Sequence, residues 1–375
     1  MKTSHFMCTF GVFSTVLALQ LVGVSAQGFP DLIRHGYVNC NNCHSSPSGG
    51  GTINDYGRNF ASEGISTWSR KGEESVLHGL IRRKSIPSWL SIGGDIRAVQ
   101  FWEENKQIQS ARSIMMQADF EAAVKDRGVT MDVAFGRFQT AAEEPRPNSR
   151  RYFLGYNFTD EIMLRAGRFT PVYGVNTADH IIATRRPLRL DQGHETFNIE
   201  ASWITDTWNV FVTAIQGPVD DPTTTQEKGG SAQIAYAFHD TYKIGASYWS
   251  SSSEQATRQM AGVHTLLGFT PELYLMNEFD LQWTTPTGGT KTQGYFNYNR
   301  FGYEVYRGVH LLGTVELWQT DMNNPKTGND RYGVGTQLFP RPHFDIQALW
   351  TKYRKLAVDD QYFQDYAWLV FHYYF

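Results

Sequence analysis

Cysteine is scarce in this chain: three residues in 375, at positions 8, 40 and 43. Three thiols cannot build a disulfide scaffold. Long apolar runs are missing after residue 26, which excludes transmembrane helices from the rest of the chain. An excess of positive charge is also missing. The formal charge is -3, so the chain lacks the electrostatic footprint of a nucleic-acid binder, and no nucleic-acid partner is expected. A mean hydropathy of -0.41 ordinarily indicates a water-soluble protein. A membrane β-barrel escapes that argument, because only alternate residues of its strands face lipid. What the chain does have is aromatic residues, at 14%.

The N-terminus reads as a secretory signal over residues 1–26. Lys2 supplies the basic start, Phe10 to Val24 the apolar stretch, and Val24-Ser25-Ala26 the small residues before a cleavage point at Gln27. A membrane anchor would need a longer apolar run. Loss of this segment removes Cys8 and leaves Cys40 and Cys43.

Those two belong to the run Cys40-Asn41-Asn42-Cys43-His44, the spacing of covalent c-type haem attachment. Two thiols three positions apart reach the two vinyl groups of one haem, and the following histidine becomes the proximal iron ligand. A disulfide across so short a loop would add little stability. A thioredoxin-type motif needs a βαβ context, and a zinc site needs further ligands nearby. Cys40, Cys43 and His44 are therefore read as the site of one haem c. For the sixth ligand the local candidates are His78 and His35. His180 and His194 become candidates only if their loop meets the haem inside a lumen. No methionine lies between Cys8 and Met115. An open sixth position is also allowed, and each of these histidines has an ordinary surface reading beside it.

Residues 27–90 read as a small, mainly helical haem domain or plug, with short helices over 54–65 and 71–84. The second has Glu73 and Glu74 near its start and Arg82, Arg83 and Lys84 near its end, an order that suits the helix dipole. From residue 91 to 375 the period changes to two. Phe120 lies in an apolar set with Ile114, Met116, Ala118, Ala122 and Val124. Similar sets are Val129 to Phe135, Phe197 to Trp203 and Phe344 to Trp350. Sixteen strands are expected, at about 91–101, 112–124, 129–138, 151–158, 161–169, 195–203, 207–216, 230–239, 242–250, 259–268, 272–284, 291–300, 308–320, 329–339, 342–354 and 364–375. Short connections such as 125–128 and 205–206 alternate with long ones at 103–111, 139–150, 170–194, 217–229 and 356–362. The fold class is all-β, a transmembrane antiparallel barrel of the outer-membrane kind, with both ends on the periplasmic side. A soluble sandwich also alternates and is the competing reading.

The last strand ends on Phe375, with Ala367, Leu369, Phe371 and Tyr373 on the same face, and this resembles the assembly signal of Gram-negative outer-membrane barrels. Tyr152, Trp203, Trp208, Trp249, Trp283, Trp318 and Trp350 are candidates for interfacial girdles. The third long loop carries Arg185, Arg186 and Arg189 as candidates for a pore constriction. Inward carboxylates, among them Asp95, Asp119, Glu121, Asp132, Glu161, Glu200, Glu278, Asp280, Glu316 and Asp345, either draw cations such as Fe(II) or form a hydrated wall with partners such as Arg165 and Arg97.

Around the haem motif, Pro30, Arg34 and Gly36 precede Cys40, and Asn54, Gly57, Arg58 and Phe60 come after His44. With the signal, the single haem motif and the barrel, the chain resembles the fused monohaem cytochrome–porins of the outer membrane, the type that includes iron-oxidising cytochromes. The resemblance implies electron transfer across the outer membrane through one covalent haem c, between a periplasmic electron-transfer protein and an extracellular donor or acceptor, with Fe(II) as one such donor. The chain is then either an electron-transfer protein or an outer-membrane oxidoreductase of the iron-oxidase type. A homotrimer is a further expectation, since porins of this size often form one. The alternative is a diffusion porin whose haem region is a plug or redox gate.

Overall fold

The computed structural model describes residues 29–138, 146–179, 181–217, 224–357 and 362–375. The expected signal segment, Cys8 and His180 lie outside the described residues. Among them, sixteen strands form: β1 (Leu90–Glu104), β2 (Gln109–Asp126), β3 (Val129–Phe138), β4 (Arg146–Asn157), β5 (Ile162–Phe169), β6 (Thr196–Ile204), β7 (Trp208–Gly217), β8 (Lys228–Phe238), β9 (Tyr242–Ser252), β10 (Ala256–Gly268), β11 (Leu273–Pro286), β12 (Thr292–Tyr306), β13 (Val309–Gln319), β14 (Gly328–Leu338), β15 (Phe344–Lys355) and β16 (Tyr362–Tyr374). Each pairs antiparallel with its sequence neighbours, and β16 returns to β1 with Asp95 opposite Tyr374 and Glu104 opposite Asp365. Closure leaves no sheet edge, so the backbone groups of the wall are paired without water.

The sequence explains which way the wall faces. Every strand exposes at least one large apolar side chain, from Ile96 on β1 and Phe120 on β2 through Ile199, Val263 and Phe301 to Phe371 on β16. A continuous apolar belt around the outside suits hydrocarbon and excludes a soluble sandwich. The alternate residues point inward and are polar or charged: Glu121, Asp132, Arg165, Glu200, Glu278, Glu316 and Thr351 are all buried. Among the described residues no helix is long and apolar enough to cross a membrane.

Both ends of the barrel lie at the mouth that carries the short connections, 127–128, 158–161, 205–207, 239–241, 269–272, 307–308 and 339–343. Exposed Trp203, Trp208, Tyr236, Phe269 and Tyr303 sit close to those turns, as a girdle at an interface would. Trp249 and Trp318 do not belong to it. Trp249 is buried inside the barrel with Tyr173, Leu188 and Phe296, and Trp318 packs against that cluster.

Several expectations are corrected. The stretch 103–111 is not a long loop: β1 and β2 run on to a tight turn closed by Asn105 N–H donating to the Ile108 carbonyl at 2.8 Å. The apolar set on β2 also changes side. A register shift between Arg97 and Ala98 turns Met116 inward, where it packs with Val99, Phe101, Val370 and Ile114. One extra residue in a strand reverses every side chain beyond it. Glu161 lies exposed in the turn before β5 rather than in the wall.

The segment before β1 is only partly helical. The one α-helix among the described residues, α1 (Asp55–Phe60), runs on as a π turn over Ala61–Ile65, where a helix was expected. The expected helix over 71–84 is absent. Leu77, His78 and Gly79 take φ of 51°, 52° and 83°, a left-handed run that a right-handed helix cannot hold. Docking outweighs the favourable charge order here. Val76 is buried, and the His78 ring stacks on Phe344 at 5.2 Å and hydrogen-bonds to the Pro342 carbonyl at 2.7 Å.

Candidate functional site

The segment 29–89 is tied to the barrel at the short-turn mouth. Pro30 opens a 3-10 turn, Pro30–His35, that Gly36 ends at φ 85° with its N–H bonded to the Ile33 carbonyl at 2.8 Å. A side chain at that φ would be strained. Ile33 packs with Val175 of the 170–195 loop and with Leu266, Tyr274 and Met276 of the wall. Arg34, almost wholly buried, donates to Glu304 of β12 and to the Pro271 carbonyl. Farther along, Thr67 N–H bonds to the Phe339 carbonyl at 2.8 Å, and Asn39 reaches the Thr205 carbonyl at 2.8 Å.

The cysteine motif is a second 3-10 turn, Cys40–Asn42, closed by Cys43 N–H and His44 N–H on the Cys40 carbonyl at 3.2 and 3.0 Å. Both thiols are free and half-buried. Beyond His44 the chain folds back on the motif. Ser45 N–H bonds to the Thr52 carbonyl at 3.0 Å, and Asn54 N–H to the Cys43 carbonyl at 2.9 Å. The Asn54 side chain caps α1 by accepting from Gly57 N–H at 2.8 Å, and it donates to the Asn42 carbonyl at 2.8 Å. Gly57 allows the close approach, because a Cβ there would lie 2.9 Å from the Cys43 Cβ. Arg58 anchors α1 to β1 through the Ile92 carbonyl at 2.8 Å, and Phe60 packs on Tyr37 with ring centres 4.5 Å apart. The residues around the motif thus fix its backbone from both sides.

Cys40, Cys43 and His44 open together on a cavity that the segment completes with the barrel wall and the long loop. Phe29, Pro30, Leu32, Val38, Val172, Val175, Ile204, Phe211 and Leu266 give it a largely apolar lining. Burial pushes the Cys40 thiol up and the Cys43 thiol up to about 11, so both are neutral. Burial also lowers His44 to about 4, leaving the neutral imidazole that ligation requires. Two reduced thiols, a neutral imidazole and a largely apolar lining fit the chemistry of haem c attachment. Among the described residues, no three His, Cys, Asp or Glu side chains converge to hold a bare metal ion.

The other sequence candidates end elsewhere. His78 is held at the β14–β15 turn by Phe344 and the Pro342 carbonyl, and His35 is exposed with its ring edge-on to Phe60 at 6.0 Å. Neither lines the cavity. His194 pairs with Asp191 at 2.6 Å. The loop 170–195 folds into the lumen. Gly174 N–H bonds to Ser247 at 3.0 Å, Ala183 N–H to Glu316 at 2.7 Å, and Arg331 to the Ile181 carbonyl at 2.9 Å. Of the three arginines, Arg185 is buried against Glu278 at 3.2 Å, and Arg189 reaches Glu227 at 3.4 Å. The lumenal carboxylates are largely paired: Glu200 with Arg165 at 2.6 Å, Glu316 with Arg331 at 2.7 Å, Glu121 and Asp132 with Arg151, and Asp95 with His372 at 2.6 Å. Arg165 also ties the segment to the wall through Ser46 and Ser48, each at 3.1 Å.

One residue in the cavity was not legible from sequence. His264 projects inward from β10, is buried, and lines the same space as the three motif residues.

A closed sixteen-stranded antiparallel barrel with an inward-folded long loop and an apolar outer belt is the architecture of outer-membrane porins. The solved structures similar to this chain are of that kind. OmpT of Vibrio cholerae matches with a TM-score of 0.61 at 9% identity, covering 77% of this chain and 99% of that one; its trimer form matches at 0.56 and 11%, covering 76% and 99%. The channel DcaP of Acinetobacter baumannii matches at 0.57 and 13%, covering 76% and 97%. OmpF of Salmonella typhi, in complex with daunomycin, matches at 0.58 and 11%, covering 76% and 97%. No family model and no curated protein matches the sequence.

Proposed function

We propose that this chain is an outer-membrane barrel plugged from its periplasmic mouth by a haem-c-bearing segment, and that it moves electrons across the outer membrane. The supporting observation is that Cys40, Cys43 and His44 line one largely apolar cavity that the barrel wall completes. Haem c, when bound, supplies reversible one-electron exchange at iron. Cys40 and Cys43 would hold it covalently, and His44 would supply an iron ligand. The wall keeps the site from lipid, and the loop 170–195 shields it on the outer side through Val172, Val175 and Asn176. Paired lumenal charges and packed side chains such as Phe296, Leu188 and Glu278, each fully buried, narrow the free path through the barrel. That packing favours electron exchange over bulk diffusion.

The donor in this reading is an extracellular reductant such as Fe(II), and the acceptor is a periplasmic electron-transfer protein. The short turns at the segment's mouth of the barrel support a periplasmic position for it in this reading. A homotrimer is in keeping with the trimer form of OmpT. The second reading, a diffusion porin with a haem-bearing plug or redox gate, is favoured by the shared fold with channels.

Liposomes holding trapped ferric cytochrome c separate the two. With Fe(II) citrate added outside, the conduit reduces the trapped cytochrome, the Cys40→Ala/Cys43→Ala variant does not, and conductance stays low. Large steady conductance, with the trapped cytochrome reduced equally fast through wild type and the Cys40→Ala/Cys43→Ala variant as Fe(II) enters, would establish the porin instead.

A further inference from the structure

We infer that His264 supplies the distal iron ligand, so that the haem is held between a plug histidine, His44, and a barrel-wall histidine. The inference rests on the proposed haem attachment and adds the one residue that the motif does not provide. Three observations carry it. First, Cys40 and Cys43 both line the cavity that holds His264, whereas the neighbouring cavity shares Cys43 and His44 but not Cys40. Second, His264 is 2% exposed, and neither ring nitrogen makes a hydrogen bond to a described residue. A buried imidazole without a partner carries a desolvation cost that a bond to iron would offset. Third, the wall is shaped for the ring. Gly245 stands opposite His264 in the β9–β10 pairing, and a Cβ on it would collide with the imidazole.

The competing groups are engaged. Lys243, in the same cavity, donates to the Val38 carbonyl at 2.7 Å and to Asn209. His372 faces the other cavity, which Cys40 does not reach, and is bound to Asp95 at 2.6 Å. The consequence is mechanical as well as electronic. A bond from the plug's cofactor to β10 would latch the segment to the barrel, and bis-histidine ligation lowers the potential relative to His/Met.

The test is the spin state of the purified full-length protein, with haem content measured separately. Wild type is expected to carry one haem c with a low-spin ferric EPR signal that does not bind CO on reduction. His264→Ala should keep the haem and become high-spin and CO-reactive, and added imidazole should restore the low-spin signal. If His264→Ala does not assemble, as judged by heat-modifiable migration, His264→Gln and Gly245→Ala provide the same readout. A low-spin signal that survives in a haem-loaded, folded His264 variant would overturn the assignment. So would a high-spin wild type. Absence of haem from a folded wild type would overturn the haem reading itself, and the ligand assignment with it, so the two failures are told apart by the haem measurement.

Discussion

Replacing Glu304 by alanine should undock the segment 29–89 while leaving the barrel intact. Glu304 sits near the short-turn end of β12, and its carboxylate faces the Arg34 guanidinium with side-chain exposures of 9% and 1%. It also accepts from Gly308 N–H at 2.7 Å. Its removal leaves Arg34 buried with the Pro271 carbonyl as remaining acceptor. Breaking a buried pair in this way costs about 3–5 kcal/mol. If that cost falls on the docked state alone, the ratio of docked to undocked segment drops by about two to three and a half orders of magnitude, at ~1.4 kcal/mol per tenfold. Trypsin offers a direct assay, because Arg58, Arg70, Lys71, Arg82, Arg83 and Lys84 lie in the segment. Wild type in detergent should resist cleavage there. The variant should be cut within 29–89, while the 90–374 barrel keeps its heat-modifiable band, and single-channel conductance should rise. A variant as resistant as wild type, with unchanged conductance, would show that this pair does not hold the plug and would refute the reasoning.

The remaining predictions concern the motif, the pH response and the seam. Gly57→Val should overpack α1 against Ile53 Cγ2 and Cys43 Cβ, which a Cβ would already meet at 2.6 and 2.9 Å. A cost of about 1–3 kcal/mol is expected, read as less haem per folded chain; unchanged loading would contradict the close approach. His343, in the β14–β15 turn, bonds to the Glu74 carbonyl at 3.1 Å, and burial lowers it from 6.5 to about 4. A depressed value means that its contribution to docking is complete above pH 6.5 and is lost as pH falls towards 4, by up to about 3 kcal/mol at 1.36 kcal/mol per unit. Protease sensitivity of the segment should therefore rise over that window, and His343→Gln should weaken the pH dependence; an identical profile in the variant would exclude this histidine. At the closing seam, Gly94 exchanges backbone hydrogen bonds with Phe375 at 3.0 and 3.2 Å, and a Cβ there would lie 2.7 Å from the Phe375 ring. Gly94→Val should reduce the heat-modifiable fraction, and full assembly would argue against a tight seam.

Much of the barrel was legible because lipid and lumen impose opposite chemistry on alternate residues. Val129 to Phe135 and Phe197 to Trp203 therefore state their own register. Strand ends were less legible. β1 and β2 continue through polar residues such as Glu103, Glu104 and Ser110, which period two cannot separate from a loop. The side change at Met116 depends on a single inserted residue. The helix over 71–84 failed because Val76 is buried and His78 is fixed by contacts with a distant turn. The Cys40–His44 motif stands out because its spacing is local, and the haem it suggests remains a proposal. His264 does not stand out, since a lone inward histidine on β10 gains meaning only from the cavity it shares with residues far back in the chain. The one sequence signal, a glycine opposite it on β9, needs the strand pairing to be known.

The most direct test of the central claim is the haem content of the mature, folded protein in the outer-membrane fraction of a host competent in c-type haem attachment. Intact mass and the pyridine haemochrome spectrum should together show one covalent haem per chain, lost in the Cys40→Ala/Cys43→Ala variant although its barrel still assembles. A folded wild-type barrel in that fraction carrying no haem would contradict the account.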